Sequence, residues 1–280
     1  MSLVTMNEIL VPARKNGYAV GAFEFWSLDS AQAVAEAARE QGMPVILQAG
    51  GIECEYAGGV KNLYKIAKMA ADENDIPIAL HIDHAEEYDF IISAIDAGFT
   101  SVMIDASALP FEDNVKITKK VVQAAKSVGV TVEAELGRLA GSEGNINASE
   151  QALTDPDEAA RFVEETGIDA LAVAIGTAHG FYTFTPEIRI DRLKAIADKV
   201  SIPLVLHGGS GTPEDKVAES IKYGIAKVNI CTEFLAAYGK ASIAAQQIDG
   251  FKYSVPNLFN PSKTAAKALA ASKIKLFSRK

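Results

Sequence analysis

The sequence is short of the features that mark secreted, membrane-bound or nucleic-acid-binding chains. Only two of its 280 residues are cysteine, Cys54 and Cys231. Two cannot build a disulfide framework, and a reducing, cytoplasmic setting is the simplest expectation. No apolar run approaches the roughly 18 residues that a membrane span needs, and the opening stretch MSLVTMNEILVPARKNGYAV lacks the apolar core of a signal peptide. Positive charge is in deficit: 27 Lys+Arg against 36 Asp+Glu give a net charge of −9, which argues against nucleic acid or an anionic membrane as partner. Nothing is low in complexity, and no Pro/Gly/Ser-rich linker interrupts the chain, so residues 1–280 read as one domain. Histidine is scarce as well, with four in all.

What is present is a regular alternation. Short β-branched, apolar runs at Tyr18–Phe25, Pro44–Ala49, Pro77–Ile82, Ser101–Asp105, Thr131–Leu136, Ala170–Ile175, Pro203–Leu206 and Lys227–Ile230 read as strands. Six of these eight runs are apolar almost throughout, as strands buried on both faces should be. Between them lie segments of helical period such as Ser30–Gln41, Asn62–Asp72 and Asn114–Val128. Eight β-then-α units in about 245 residues predict a TIM (β/α)8 barrel. The competing doubly wound sheet would carry a glycine fingerprint after its first strand, and GAFEFWSLD there contains none. Two segments exceed what the barrel needs. Gly137–Asp155 is a long polar loop, of the kind that is usually functional or mobile. After the tail Asp249–Asn260, an extra C-terminal helix is predicted over Ser262–Phe277, fit to cap the barrel or to mediate self-association.

The four histidines, His81, His84, His179 and His207, fall at or just past the C-terminal ends of the third, sixth and seventh predicted strands. In a TIM barrel these ends converge on the face where active sites are built. Asp83, Asp105 and Glu135 join them there. Imidazole suits Zn2+, and three protein ligands leave open the position that catalysis requires. His81 and Asp83 lie two apart and project to the same side of the strand, while His84 points differently, where strand gives way to loop. His84, His179 and His207 are therefore the expected ligands, with His81 in a supporting role.

A phosphate site is the second signal. HGGSGTPED, opened by His207, supplies a glycine-rich turn leading into a helix, and Asn229-Ile230-Cys231-Thr232 enters another. Backbone N–H groups at such helix starts bind anions, and the loops after strands seven and eight are the usual phosphate site of this fold. Metal beside phosphate suggests chemistry on a phosphorylated small molecule, with the metal polarising a carbonyl and Asp83 moving a proton. A lysine Schiff base is disfavoured: strand six has no lysine, and Lys227, at the start of the predicted eighth strand, should lie at the end away from the histidines.

The segments HIDH (81–84), SVMIDAS (101–107), VEAELG (132–137), AIGTAHG (174–180), PLVLHGGSG (203–211) and KVNICTE (227–233) together resemble the class II, zinc-dependent fructose- and tagatose-bisphosphate aldolases. The resemblance implies zinc on His84, His179 and His207, with Glu135 and Asp105 supporting or alternately ligating it. It makes Asp83 the acid/base on the aldehyde side and Glu143, in AGSEG, the carrier of the proton at the nucleophilic carbon of dihydroxyacetone phosphate. It assigns the phosphate to Gly180, Gly208, Gly209, Ser210, Asn229 and Thr232. It also implies a monovalent cation (Na+ or K+) nearby, a sugar phosphate substrate and a homo-oligomer, dimer or tetramer.

Departures from the family pattern gather on the aldehyde side. GAFE ends the first strand where the family has GAFN, which introduces Glu24; Gln48 is followed two residues later by Gly50 rather than serine; and VPNLFNPSK offers no arginine where the bisphosphate enzymes place one. Cys231 stands where those enzymes commonly have Asp or Asn. A missing arginine and an added carboxylate both oppose a second phosphate. Glu24 and Gln48 are thus the aldehyde-side candidates, and the expected aldehyde need not be phosphorylated. A basic residue repositioned from the C-terminal tail would instead preserve a bisphosphate substrate. Two further readings remain at this point: a metal-dependent hydrolase on the same barrel, and a non-catalytic aldolase-like subunit.

Overall fold

A computed structural model describes residues 3–137, 153–180 and 186–279. Glu143 and most of the long loop after the fifth strand lie outside these residues. Eight parallel strands form a closed barrel in sequence order: β1 (Val20–Glu24), β2 (Val45–Ala49), β3 (Ile78–Ala85), β4 (Ser101–Ile104), β5 (Thr131–Leu136), β6 (Ala170–Val173), β7 (Leu204–Leu206) and β8 (Ile225–Ile230). Closure is made by β1 against β8, with Val20 opposite Lys227 and Ala22 opposite Asn229. All eight predicted strands are present, and so is the extra C-terminal helix.

The helices are α1 (Met6–Asn16), α2 (Leu28–Gln41), α3 (Gly51–Tyr56), α4 (Val60–Asp72), α5 (Tyr88–Ala97), α6 (Phe111–Lys126), α7 (Pro156–Thr166), α8 (Ile190–Ala197), α9 (Glu214–Lys222), α10 (Thr232–Gln246) and α11 (Val255–Ser278). Their ends follow local chemistry. Thr5 and Glu8 form a capping box at α1, and the Asp155 carboxylate accepts the N–H groups of Asp157 and Glu158 at α7. A large apolar layer joins the outer faces of the strands to the helices, from Phe23, Leu47 and Leu80 to Phe162, Leu193 and Phe277.

A second apolar cluster fills the lower half of the barrel. Ala22, Ala79, Ala170, Ala172 and Ala226 line it, and Met6, Ile9, Leu10 and Ala13 of α1 pack into it. Small side chains on the strands leave room for this helix to plug the N-terminal end. The sequence pattern did not announce α1, because Pro12 stands in its middle and such a residue usually breaks a helix. Likewise α11 starts at Val255, ahead of the expected Ser262, and carries Pro261 within it. It packs along α2 and α10, with Lys263 and Lys267 paired to Glu36 and Glu40 of α2.

Two strands depart from regular pairing. Between Ile82 and Ala85, β3 holds one residue more than its partner β4 needs, and β8 does the same against β7 between Ile225 and Lys227. Such bulges re-aim the side chains beyond them. Both bear on the site.

Candidate metal centre and active site

The β3 bulge makes the HIDH segment useful. His84 has a φ of 45°, a left-handed conformation that costs a bulky residue of order 1–3 kcal/mol and tends to persist at functional positions. It breaks the alternation, so the Asp83 and His84 side chains both reach the mouth of the barrel. His179 follows β6, and His207 directly follows β7. The turn after His207 is held tightly: a side chain on Gly208 would come within 2.3 Å of the Ala178 carbonyl oxygen, and one on Gly209 within 2.7 Å of that of Asn229.

The three predicted imidazoles meet. His84, His179 and His207 each offer a nitrogen within 4.8 Å of the others', and the His84 ring lies 4.8 Å from that of His179 and 4.6 Å from that of His207, centroid to centroid. Hydrogen bonds decide which nitrogens are free. His84 Nδ1 pairs with Asp105 Oδ2 at 2.7 Å, leaving Nε2 for a ligand. His207 Nε2 pairs with Glu133 Oε1 at 2.8 Å, and its buried Nδ1 has no hydrogen-bond partner. An imidazole with one nitrogen anchored to a carboxylate and the other bare is the usual arrangement of a metal ligand. Glu135 Oε2 is also buried without a hydrogen-bond partner, 3.4 Å from His207 Nδ1. This donor set fits a divalent cation with affinity for nitrogen.

The electrostatics agree. Burial alone would depress His84, but Asp83, Asp105 and Glu135 outweigh it and raise its pKa to about 10. Burial, together with His84 and His207, lowers His179 to about 3, and burial with His84 lowers His207 too, so both present neutral lone pairs. The pocket therefore favours a single positive charge amid its carboxylates. Burial, then Asp105, pushes Glu135 up to about 8.

Asp83 sits beside this cluster, buried. Burial would raise its carboxyl, yet His84, His81 and Lys227 hold it well below the ordinary range, as an anion. Its partners are the Gln48 amide at 3.0 Å and the Asn229 amide at 3.3 Å. The same Gln48 nitrogen donates to Glu24 Oε2 at 3.0 Å, and Glu24 Oε1 accepts the Gly50 N–H at 2.9 Å. Burial, then Asp83 and Glu53, raises the Glu24 carboxyl well above its usual range. Glu24 and Gln48 thus join Asp83 in one buried hydrogen-bonded chain. His81 stands below, its Nδ1 2.8 Å from Ser101 Oγ and its Nε2 3.6 Å from Asp83 Oδ1.

Of the predicted phosphate residues, Ser210 is brought to the start of α10, where its hydroxyl accepts the Glu233 N–H at 3.2 Å beside Thr232. Gly208 and Gly209 form the floor of the same turn, and Gly180 follows His179 with a φ of 90°. Asn229 is turned onto Asp83.

The placement of Lys227 corrects the sequence reading. It is not at the far end from the histidines: β8 begins two residues earlier than expected, and its bulge turns Lys227 inward. The ammonium is fully buried, 2.9 Å from Glu133 Oε2 and 4.0 Å from Asp83 Oδ1. Held by Glu133, it is a charge anchor rather than a free nucleophile. Glu133 itself escaped notice, although its place two residues before Glu135 puts both on the inner face of β5. Lys227, His207 and His81 hold its carboxyl down, to about 2, against the effect of burial.

The family comparison decides what this site belongs to. The family described as fructose-bisphosphate aldolase class II matches residues 4–280. The chain belongs to the class II fructose-bisphosphate aldolase family. Proteins named fructose-bisphosphate aldolase from Staphylococcus epidermidis and Geobacillus stearothermophilus are 42% and 40% identical to this class II chain over 279 residues, with 99% of it and 98% and 97% of theirs covered. The crystal structure of the YdjI aldolase from Escherichia coli K12 superposes with a TM-score of 0.87 at 35% identity, covering 98% of this chain and 97% of that one. The protein is a class II, metal-dependent aldolase, a carbon–carbon lyase, and the hydrolase and non-catalytic readings fall away. Among the described residues no helix is long and apolar enough to cross a membrane.

Proposed function

We propose that the enzyme cleaves a ketose phosphate to dihydroxyacetone phosphate and an aldehyde, with Zn2+ held by His84, His179 and His207. The observation that carries this reading is the cluster of three imidazoles with the bare, buried Nδ1 of His207 among them. The metal, when bound, polarises the ketose carbonyl oxygen. Asp83, kept anionic, accepts the proton of the hydroxyl on the carbon that becomes the aldehyde as the carbon–carbon bond breaks, and returns it in the condensation direction. The bonding electron pair stays with the dihydroxyacetone phosphate fragment, whose carbon takes a proton from Glu143. Gly180, Gly208, Gly209, Ser210 and Thr232 receive the phosphate, and Asn229 links that side to Asp83. Asp105 and Glu135 orient or alternately ligate the metal. A monovalent cation, Na+ or K+, belongs to the same proposal and is tested by ion replacement.

The aldehyde half is read as unphosphorylated. Glu24 places a carboxyl, and no cation, within one amide of Asp83, which offers a second phosphate no counter-charge. The names of the curated relatives favour a different substrate, fructose 1,6-bisphosphate, and that is the reference compound. A screen of ketose 1-phosphates against fructose and tagatose bisphosphates decides: kcat/KM for the best monophosphate should exceed that for either bisphosphate, and comparable values would return the assignment to a bisphosphate. Self-association is proposed from the exposed apolar side chains gathered in one stretch, Leu235, Ile243, Ile248, Tyr253, Val255 and Phe259. Sedimentation of the metal-loaded protein measures the stoichiometry.

A further inference from the structure

Helices α9 and α10 both start beside the loop that follows β7, and each carries an acidic residue in its first turn, Glu214 and Glu233. Acidic groups there normally stabilise a helix N-terminus, but these two stand where an incoming phosphate would feel them as like charges. Glu233 is tied into the loop itself. Its Oε1 accepts the Gly211 N–H at 2.8 Å, and its own N–H donates to Ser210 Oγ. Its Oε2 lies 2.8 Å from Lys273 Nζ, and the same ammonium is 3.8 Å from Glu214 Oε1. Lys273 comes from α11, the helix beyond the eighth unit, and is only 8% exposed, which is rare for lysine unless it is paired.

We propose that Lys273 is a positioning residue for the substrate phosphate, a buried ammonium sent from the C-terminal helix to cancel Glu233 and fix the Gly208–Thr212 turn. The proposal rests on the reading of that turn as the phosphate site. Without the ammonium, the Glu233 carboxylate faces the phosphate dianion in a partly buried setting, where repulsion is screened less than in water. The Gly211 tether loses its counterweight at the same time. The extra helix then has a catalytic consequence, although none of its residues is assigned to the substrate.

The test follows proton exchange on dihydroxyacetone phosphate by the zinc-loaded enzyme, with unphosphorylated dihydroxyacetone as the control compound. Lys273→Met should raise KM for dihydroxyacetone phosphate about tenfold while kcat changes less than about twofold, the pattern of lost ground-state binding. KM for dihydroxyacetone should not move. Lys273→Arg should restore most of the affinity, and so should Glu233→Gln placed in the Lys273→Met background, because it removes the uncompensated charge. If Lys273→Met does not fold, Lys273→Gln is read in the same way. An unchanged KM, an equal rise for both compounds, or no recovery in the Lys273→Met/Glu233→Gln pair overturns the proposal. Ser210→Ala and inhibition by inorganic phosphate separate its failure from that of the underlying reading. If Ser210→Ala raises KM and phosphate competes while Lys273→Met is silent, only the role of Lys273 falls. If neither has an effect, the phosphate site is elsewhere and the proposal falls with it.

Discussion

The two ends of the barrel are built from the same eight strands and share almost no chemistry. At the N-terminal end the interior is alanine with Val20, Ile46 and Val205, plugged by Met6, Ile9 and Leu10 of α1. At the C-terminal end the buried interior residues are Glu24, Gln48, His81, Asp83, Glu133, Glu135, His207, Lys227 and Asn229. The lower half is filled by apolar side chains, with hydrogen bonds from Asn7 and Arg14 of α1 to the strand ends and loops around it. The upper half buries polar and ionisable groups, most of them held by ion pairs or hydrogen bonds to one another, as Lys227 is to Glu133 and Asp83 to Gln48 and Asn229. Stability and chemistry are therefore divided along the barrel axis, and substitutions at the two ends should fail in different ways.

The sharpest way to break that division is to remove the metal. Chelation should abolish cleavage and Zn2+ should restore it, while borohydride with substrate should leave the enzyme active; inactivation by borohydride would implicate a lysine instead. Asp83→Ala should lower kcat by about 10²–10⁴-fold, the usual worth of a general acid/base, with zinc content unchanged by elemental analysis. Loss of the metal along with turnover would show Asp83 to be a structural support. Glu133→Gln should weaken zinc binding about 10–100-fold, as removal of a ligand's hydrogen-bonded carboxylate does elsewhere, measured by competition with a chromophoric chelator. At the other end, Leu10→Ala should destabilise the fold by about 2–5 kcal/mol in urea melts yet leave kcat per folded molecule intact. A matching fall in kcat would mean the two ends are coupled.

The smallest effect tests Glu24. A carboxyl whose folded-state pKa is raised stabilises the fold fully below its unfolded value and loses that contribution as pH rises through the folded value. The Tm of Glu24→Gln relative to the parent should therefore climb as pH rises above the ordinary carboxylate range. A pH-independent difference would place Glu24 outside the buried chain.

Much of this was legible in the sequence because both signals are strong. Strands buried on both faces give continuous apolar runs, and four histidines confined to three strand ends can hardly be scattered in space. What escaped has specific causes. Pro12 hid α1, and Pro256 and Pro261 hid the first turns of α11. Lys227 was misplaced because an extra residue in β8 resets the alternation that periodicity assumes. Glu133 was overlooked because its role depends on which His207 nitrogen it holds, and a hydrogen bond between residues 74 apart in sequence leaves no local mark.

The irregularity in β3 carries a genetic consequence. Removing one codon between Ile82 and Ala85 would let β3 and β4 pair without interruption and relieve the left-handed backbone at position 84. It would also send either the acid or the imidazole to the wrong side of the wall. Among random deletions, this one should yield a tidier and inert barrel, so natural selection has to defend the misfit in every generation.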